Sequence, residues 1–220
     1  MTVRGLIFDL DGVITDTAEL HYQAWQRMAD ESGLPFDRQA NEALRGIGRR
    51  ESLGRVLGPR TVTEAEATEL MDRKNRHYRE LLQTLTPDGV LAGSIELVEA
   101  ARERGLRVAL ASASRNAREV LDRLGIADRF DAVCDGHTVE SAKPAPDLFL
   151  SAAAALGLPP GDCVVFEDAA DGVAAAHAAG MAAVGIGPAE RVGSAEMVLD
   201  GLSEANLDAI VHLPRESGTA

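Results

Sequence analysis

The sequence predicts an α/β fold: a doubly wound, parallel, Rossmann-like sheet core with an all-helical cap domain inserted after the first strand. Short apolar runs alternate with helical segments after residue 89, which is typical of a parallel sheet. Most of these runs are continuously apolar, as expected for strands buried on both faces. Residues 16–88 contain no convincing strand. We therefore expect a core of residues 1–15 and 89–220 and a helical cap of residues 16–88.

The core is expected to contain five strands and four helices. The strands are the short, largely apolar runs at 4–9, 107–111, 130–134, 162–167 and 182–186. The helices are expected at 94–104, 115–124, 146–156 and 169–179. A glycine stands just past the end of each of these helices, where helices commonly stop.

The cap is predicted from capping patterns and apolar spacing. Asp16 is a candidate N-cap, with Glu19 three residues later, and the helix that follows is expected to run to Gly33. Thr63 and Glu66 form a second capping-box pattern, and the apolar residues behind it fall near one helical face. Two shorter helices fit 37–45 and 50–57, and a turn at 87–89 leads back to the core.

Composition narrows the class of function. The chain has 220 residues and a net charge of −13, which argues against a nucleic-acid binder and against docking on anionic membranes. Cys134 and Cys163 lie in predicted strands, where packing explains them better than a disulfide or a zinc site. The sequence has no secretory apolar region and no run of 18 apolar residues. We expect a cytoplasmic protein, and nothing requires more than a monomer.

Polar side chains follow the predicted strands where ligands bind in open parallel sheets, beyond the carboxyl ends. Asp9 and Asp11 end the first strand, and because positions i and i+2 point the same way, they share one site. Two carboxylates this close repel each other unless a cation, a shared proton or a substrate offsets their charge. Residues 112–116 follow the second strand where a helix begins, a place that can bind an anion. The residues that follow the third and fourth strands are Lys143, Glu167 and Asp168.

Four segments in this order resemble the motifs of the haloacid dehalogenase superfamily of phosphatases and phosphomutases. They are DLDGVITDT (9–17), ASAS (111–114), SAKPAPD (141–147) and FEDAADG (166–172). The cap is similar, in order and spacing, to that of the β-phosphoglucomutases of this superfamily. The similar cap segments are ITDTAELHYQAW (14–25), RGIGRRESL (45–53) and RKN (73–75).

The resemblance implies phosphoryl transfer, which needs aligned groups and charge neutralisation. Asp9 would be the nucleophile that forms an aspartyl-phosphate, and Asp11 the general acid and base. Lys143 would offset negative charge, and Ser112 would hold phosphoryl oxygens. Mg²⁺ would be bound by oxygen atoms: Asp9, the backbone carbonyl of Asp11, Asp168, and Glu167 either through water or only as a residue that orients Asp168.

The resemblance also implies a sugar-phosphate substrate. β-D-Glucose 1-phosphate would be converted to glucose 6-phosphate, with β-glucose 1,6-bisphosphate as intermediate and primer. Arg49, with Ser114 and Asn116 opposite, would bind the phosphate that is not being transferred. The full set of predicted substrate-binding residues is Thr17, His21, Trp25, Gly46, Arg49, Lys74, Ser112, Ala113, Ser114 and Asn116.

Two alternatives remain open. A sugar-phosphate phosphatase of the same superfamily would share every core residue and differ only in the cap and in water access. A noncatalytic binding protein on this fold is disfavoured by the intact nucleophile, acid and metal set. For Trp25, simple packing is as good an interpretation as sugar contact.

Overall fold

The computed structural model describes residues 3–139 and 141–213. Within them, six parallel strands form one sheet in the order β3-β2-β1-β4-β5-β6. This confirms the predicted doubly wound core. The strands are β1 (Gly5–Phe8), β2 (Arg107–Ala111), β3 (Ala132–Cys134), β4 (Cys163–Glu167), β5 (Ala182–Ile186) and β6 (Met197–Leu199). The sequence prediction missed β6, because it is only three half-buried residues long and lies at the sheet edge.

The two faces of the sheet bury separate apolar layers. On β1, Leu6 and Phe8 belong to one layer and Ile7 to the other, as the alternation of side chains along a strand requires. Burying an aliphatic or aromatic side chain contributes roughly 1.5–3 kcal/mol, so the central strand is strongly held. The first layer is covered by α5 (Ser94–Glu103) and α6 (Ala117–Leu124), and the second by α7 (Asp147–Leu156) and α8 (Ala170–Ala178). Short helices α9 (Ala189–Val192) and α10 (Leu207–Ile210) complete the core.

The helical insert, residues 16–88, contains α1 (Ala18–Glu31), α2 (Arg38–Glu42), α3 (Arg49–Leu57) and α4 (Glu64–Leu82). Much of its apolar surface packs internally, with Trp25, Met28 and Leu53 among the buried residues of its own cluster. Helices α1 and α4 pack against each other. The division of the chain into two domains at these boundaries stays a prediction.

The two predicted capping boxes had different outcomes. Thr63 and Glu66 form the reciprocal hydrogen bonds of a capping box at the start of α4. The box predicted at Asp16 and Glu19 is wrong, because Thr17 is the N-cap residue of α1. The Asp16 carboxylate accepts a hydrogen bond from the Ala18 N–H, while Glu19 accepts two hydrogen bonds from the Arg38 guanidinium.

The chain leaves the core and returns to it at the same place. The Leu91 N–H donates to the Ile14 carbonyl at 2.9 Å, and the Thr15 hydroxyl donates to the Gly89 carbonyl at 2.7 Å. The two crossings are therefore tied together beside the carboxyl end of β1. Among the described helices, none combines the length and the apolar character needed to span a membrane.

Candidate active site

The turn after β1 brings the first and last acidic motifs together. Asp9 continues β1, and its N–H donates to the Phe166 carbonyl at 2.9 Å. Gly12 has a φ of +80°, and a Cβ at this position would lie 2.4 Å from Oδ2 of Asp168. Only glycine can adopt this conformation and leave room for that carboxylate. The sequence Asp-Leu-Asp-Gly therefore allows Asp168 to approach the end of β1.

Asp9, Glu167 and Asp168 form a buried carboxylate cluster, with one oxygen from each lying within 4.8 Å of the others. Burial raises the pKa of Glu167 and of Asp168, and the charge of Asp9 raises both further. A divalent cation would offset this concentrated negative charge. Oxygen donors are the ligands that Mg²⁺ prefers, so the residues fit the predicted ion.

Lys143 lies behind this cluster and is 1% exposed. Its Nζ is 2.6 Å from Oδ1 of Asp9 and 2.6 Å from Oε2 of Glu167. Burial alone would lower the pKa of Lys143, but the two carboxylates outweigh it and raise that pKa. The ammonium group is therefore charged at neutral pH and fixes the orientation of Asp9. The Lys143–Pro144 peptide bond is cis.

The carboxylate of Asp11 contacts residues of the insert. The Thr17 hydroxyl donates to Oδ1 of Asp11. Oδ2 lies 3.9 Å from Nε2 of His21, and Nδ1 of His21 lies 2.7 Å from Nζ of Lys74. Burial and the charge of Arg49 lower the pKa of Lys74 well below its usual value. While Lys74 is an ammonium, it can only donate, and the imidazole proton then lies on Nε2, on the side that faces Asp11. The Asp11 carboxylate is not part of the cluster of Asp9, Glu167 and Asp168, and metal binding by its backbone carbonyl stays a prediction.

Asp11 can hold a proton near neutral pH. Burial, together with repulsion from Asp9, raises the pKa of Asp11 to about 7, although the Thr17 hydrogen bond opposes the shift. Its side chain is 28% exposed, and it lines a cavity between the core and the insert. A carboxyl group with such a pKa can both donate and accept a proton at neutral pH.

The cavity collects most of the predicted site residues. Those that line it are Asp9, Asp11, His21, Trp25, Gly46, Arg49, Lys74, Ser112, Ala113, Ser114 and Asp168. Four predicted residues do not line it: Thr17, Lys143, Glu167 and Asn116. Thr17 contacts Asp11, Lys143 contacts both Asp9 and Glu167, and Asn116 contacts the insert. Trp25 both lines the cavity and packs in the core of the insert, with 3% exposure.

The hydroxyl groups after β2 are arranged for anion binding. Oγ of Ser112 accepts from the Ser114 N–H at 3.1 Å, and Oγ of Ser114 accepts from the Asn116 N–H at 3.2 Å. Because each oxygen accepts within the loop, each hydroxyl proton can be donated to a phosphate in the cavity. Helix α6 begins directly afterwards, and its N-terminus favours negative charge.

Sequence reasoning missed two polar residues near Arg49. Oδ1 of Asn75 accepts hydrogen bonds from Nη2 of Arg49 and Nδ2 of Asn116, both at 2.9 Å, and so joins insert to core. Arg115 lines the cavity with Arg49. Burial and repulsion from Arg115 lower the pKa of Arg49, and a bound anion would relieve this repulsion. Asn75 is the last residue of the segment RKN, and Arg115 directly follows the segment ASAS. These similar segments were the sequence signal that could have identified both residues.

Arg45 is a third missed residue. Its Nη1 donates to Oδ2 of Asp168 at 2.9 Å across the cavity. The sequence shows that Arg45 and Arg50 add positive charge beside Arg49 but cannot show where each points. Arg50 instead pairs with Glu64 on the surface of the insert.

Comparisons with known proteins support the resemblance. Residues 3–180 match the model of the haloacid dehalogenase-like hydrolase family. The chain is 45% identical over 212 residues to a β-phosphoglucomutase of Bacillus subtilis (strain 168), covering 94% of each chain. It is 36% identical over 187 residues to a fructose-1-phosphate phosphatase of Escherichia coli (strain K12), covering 83% of this chain and 95% of that one.

A solved structure shares the fold closely. The crystal structure of a β-phosphoglucomutase from Clostridium difficile superposes with a TM-score of 0.91 at 37% identity. The match covers 94% of this chain and 95% of that chain. Both the core and the helical insert are therefore common to the two folds.

Proposed function

The chain belongs to the haloacid dehalogenase-like hydrolase family, and on this premise we propose that it is a Mg²⁺-dependent β-phosphoglucomutase. Its substrate would be β-D-glucose 1-phosphate, its product glucose 6-phosphate and its intermediate and primer β-glucose 1,6-bisphosphate. We expect it to act on this small molecule as a monomer in the cytoplasm. The 45% identity to a β-phosphoglucomutase over 94% of both chains supports the choice of reaction.

One observation carries the proposal: a single cavity is lined by two sets of groups suited to binding phosphate. One set is Asp9, Ser112 and Asp168, and the other is the guanidinium groups of Arg49 and Arg115. A mutase must hold a bisphosphate, so it needs a second anion site away from the nucleophile. A guanidinium group suits this role, because it can bind phosphate through two hydrogen bonds.

In the first half of the reaction, phosphorylated Asp9 transfers its phosphoryl group to the 6-hydroxyl of β-glucose 1-phosphate. The sugar oxygen forms a bond to phosphorus, the bond between phosphorus and the Asp9 oxygen breaks, and the hydroxyl proton passes to Asp11. The product is the bisphosphate. A base placed in this way contributes about 10²–10⁴ in rate.

In the second half, the sugar binds with its 1-phosphate beside Asp9. The Asp9 carboxylate forms a bond to phosphorus and the bond to the sugar O1 breaks. Asp11 returns its proton to that oxygen, which releases glucose 6-phosphate and restores the aspartyl-phosphate. The pKa of Asp11, raised to about 7, suits both directions of proton transfer.

The remaining residues neutralise charge and position the substrate. Lys143 would hold the Asp9 carboxylate for attack, and Ser112 would donate to phosphoryl oxygens. Asp9, Asp168 and the backbone carbonyl of Asp11 would hold Mg²⁺, which would supply positive charge to offset that of the phosphoryl group. Glu167 would orient this set through Lys143 and the Ala169 N–H, both of which donate to it. Thr17, His21, Trp25, Gly46, Lys74 and Ala113 would surround Asp11 and the sugar.

One assay tests the proposal. The purified chain is supplied with β-glucose 1-phosphate, Mg²⁺ and a trace of β-glucose 1,6-bisphosphate, and glucose 6-phosphate and free phosphate are measured together. We expect glucose 6-phosphate to exceed released phosphate by a wide margin. Omission of Mg²⁺, by addition of a chelator, should stop turnover.

A sugar-phosphate phosphatase is the second candidate, favoured by the 36% identity to a fructose-1-phosphate phosphatase. It would use the same Asp9, Lys143 and Asp168 and would let water attack the aspartyl-phosphate. In the same assay, phosphate release that dominates over glucose 6-phosphate formation would overturn the mutase assignment in favour of this candidate.

A further inference from the structure

Tyr78, on α4, has none of its surface exposed and belongs to the apolar layer of the core that contains Leu6 and Phe8. A buried tyrosine hydroxyl normally finds a hydrogen-bond partner. Here the Tyr78 hydroxyl donates to Oγ1 of Thr17 at 3.3 Å, and Thr17 is itself fully buried. The Thr17 hydroxyl in turn donates a hydrogen bond to the Asp11 carboxylate, so two hydrogen bonds connect Tyr78 to Asp11.

The direction of these hydrogen bonds has a consequence for Asp11. A threonine hydroxyl has one proton, so while Thr17 accepts from Tyr78 it donates its own proton to Oδ1 of Asp11. Oδ1 accepts this hydrogen bond, whereas Oδ2 accepts none from the residues that the structure describes, its contact with His21 being 3.9 Å long. Oδ2 is therefore the oxygen better placed to exchange a proton with the substrate. Tyr78 therefore fixes both the donor state of Thr17 and the orientation of the carboxyl group.

The Tyr78 ring also contacts the other two groups near Asp11. It stacks on the His21 ring, with centroids 4.1 Å apart and planes at 26°. Nζ of Lys74 lies 4.6 Å from the Tyr78 ring centroid. One side chain of the insert thus touches Thr17, His21 and Lys74, the three residues that surround the Asp11 carboxylate.

We propose that Tyr78 is a positioning residue for proton transfer: its hydroxyl, acting through Thr17, holds Asp11 with Oδ2 toward the substrate. This inference rests on the proposed function, because it concerns the general acid of that reaction. Tyr78 does not line the cavity, so it acts without touching the substrate.

The test compares two phosphoryl donors that differ in their need for an acid. A sugar oxygen leaves as an alcohol and needs the Asp11 proton, whereas acetate is a good leaving group and needs none. We measure the single-turnover rate of Asp9 phosphorylation by β-glucose 1,6-bisphosphate and by acetyl phosphate. For Tyr78→Phe we expect a loss of roughly three- to tenfold with the sugar bisphosphate, the value of one hydrogen bond, and less than about twofold with acetyl phosphate.

The chain offers a matched control, since Tyr22 and Tyr78 are its two tyrosines. The Tyr22 hydroxyl donates to Gln26 one turn away on α1, outside the cavity. Tyr22→Phe should change neither rate. A loss in Tyr78→Phe that is equal for the two donors, or no loss at all, would overturn the inference, because a purely structural role has no reason to distinguish leaving groups.

Asp11→Asn separates failure of this inference from failure of the proposed function. If Asp11 is the general acid, its replacement slows phosphorylation by the sugar bisphosphate far more than by acetyl phosphate. If Asp11→Asn shows no such selectivity, the proposed mechanism fails. If Asp11→Asn is selective and Tyr78→Phe is not, only the role of Tyr78 fails.

A spectroscopic measurement keeps the inference testable if Tyr78→Phe does not fold. In the Tyr22→Phe background Tyr78 is the sole tyrosine, so incorporation of 3-fluorotyrosine gives one ¹⁹F signal. Thr17→Val, which removes the acceptor, should shift this signal and should produce the same selective rate loss. An unmoved signal, or a rate loss equal for the two donors, would refute the connection.

Discussion

The guanidinium of Arg45 lies 2.9 Å from Oδ2 of Asp168, so a residue of the insert holds a carboxylate of the core. The Asp168 side chain is only 4% exposed, and it belongs to the cluster that suits a divalent cation. Arg45 and a bound cation would therefore compete for the negative charge of Asp168.

Replacement of Arg45 should tighten divalent-cation binding. A charge-assisted hydrogen bond contributes about 1.5–3 kcal/mol, so its removal should lower the Kd of Arg45→Gln for Mn²⁺ by roughly tenfold or more. Electron paramagnetic resonance of free Mn²⁺ measures this without turnover. Arg50→Gln is the control, because Arg50 pairs with Glu64 on the surface. An Arg45→Gln protein that binds Mn²⁺ no more tightly than the control would rule out the competition.

Loss of the nucleophile should abolish turnover. Asp9→Asn keeps the shape of the side chain but removes the attacking carboxylate, and we expect the mutase rate to fall by more than about 10³-fold. Acid-quenched protein from a single turnover with labelled bisphosphate should carry phosphate in the unchanged chain and none in the variant. Turnover that persists in Asp9→Asn would exclude the covalent mechanism.

Arg49 is expected to bind the phosphate that is not being transferred and to contribute little to the phosphoryl-transfer step. For Arg49→Ala we expect mutase turnover to fall by about 10- to 100-fold, as when a charge-assisted contact is lost. Hydrolysis of a small phosphomonoester, which has no second phosphate, should fall much less. Arg55→Ala is the control from the same helix, since Arg55 pairs with Glu51 on the surface. Equal losses for both substrates would contradict the role assigned to Arg49.

His21 should make stability depend on pH. Burial, Lys74 and Arg49 lower the pKa of His21 well below 6.5, so below pH 6.5 the unfolded chain binds a proton that the folded chain does not. The free energy of unfolding must then fall as the pH falls. The His21 contribution amounts to roughly 1 kcal/mol between about pH 7 and pH 5.5.

Urea unfolding at the two pH values, with a chelator present, measures this contribution. We expect the loss of stability on acidification to be smaller in His21→Gln than in the unchanged chain. His137→Gln, in an exposed loop, should keep the full loss. The same pH slope in His21→Gln as in the unchanged chain would show that His21 is not held neutral.

The core could be predicted from the sequence because its signals are local. Continuous apolar runs mark strands such as β4, and the i, i+2 spacing of Asp9 and Asp11 marks the end of β1. The short edge strand β6 has no such signal. Fold class and the residues after each strand followed from pattern, since parallel strands place their carboxyl ends at one edge.

The contacts between insert and core could not be predicted in this way. Asn75 accepts from Arg49 and Asn116 only because α4 lies across the cavity from α6, and no local pattern encodes that placement. The same holds for Arg45, whose partner Asp168 is distant in the chain. At the start of α1, the local pattern of Asp16 and Glu19 predicts a capping box, but long-range pairing with Arg38 takes Glu19 instead.

Lys74 and Lys143 are the two lysines among the 22 basic residues of the chain, and both are buried, with 2% and 1% exposure. Every other cationic side chain is an arginine. An amine-directed reagent such as a succinimidyl ester therefore has no lysine to modify while the insert covers the cavity. The rate at which Lys74 acquires such a label can be followed by mass spectrometry. This rate would report how often the insert moves away from the core in the unaltered enzyme.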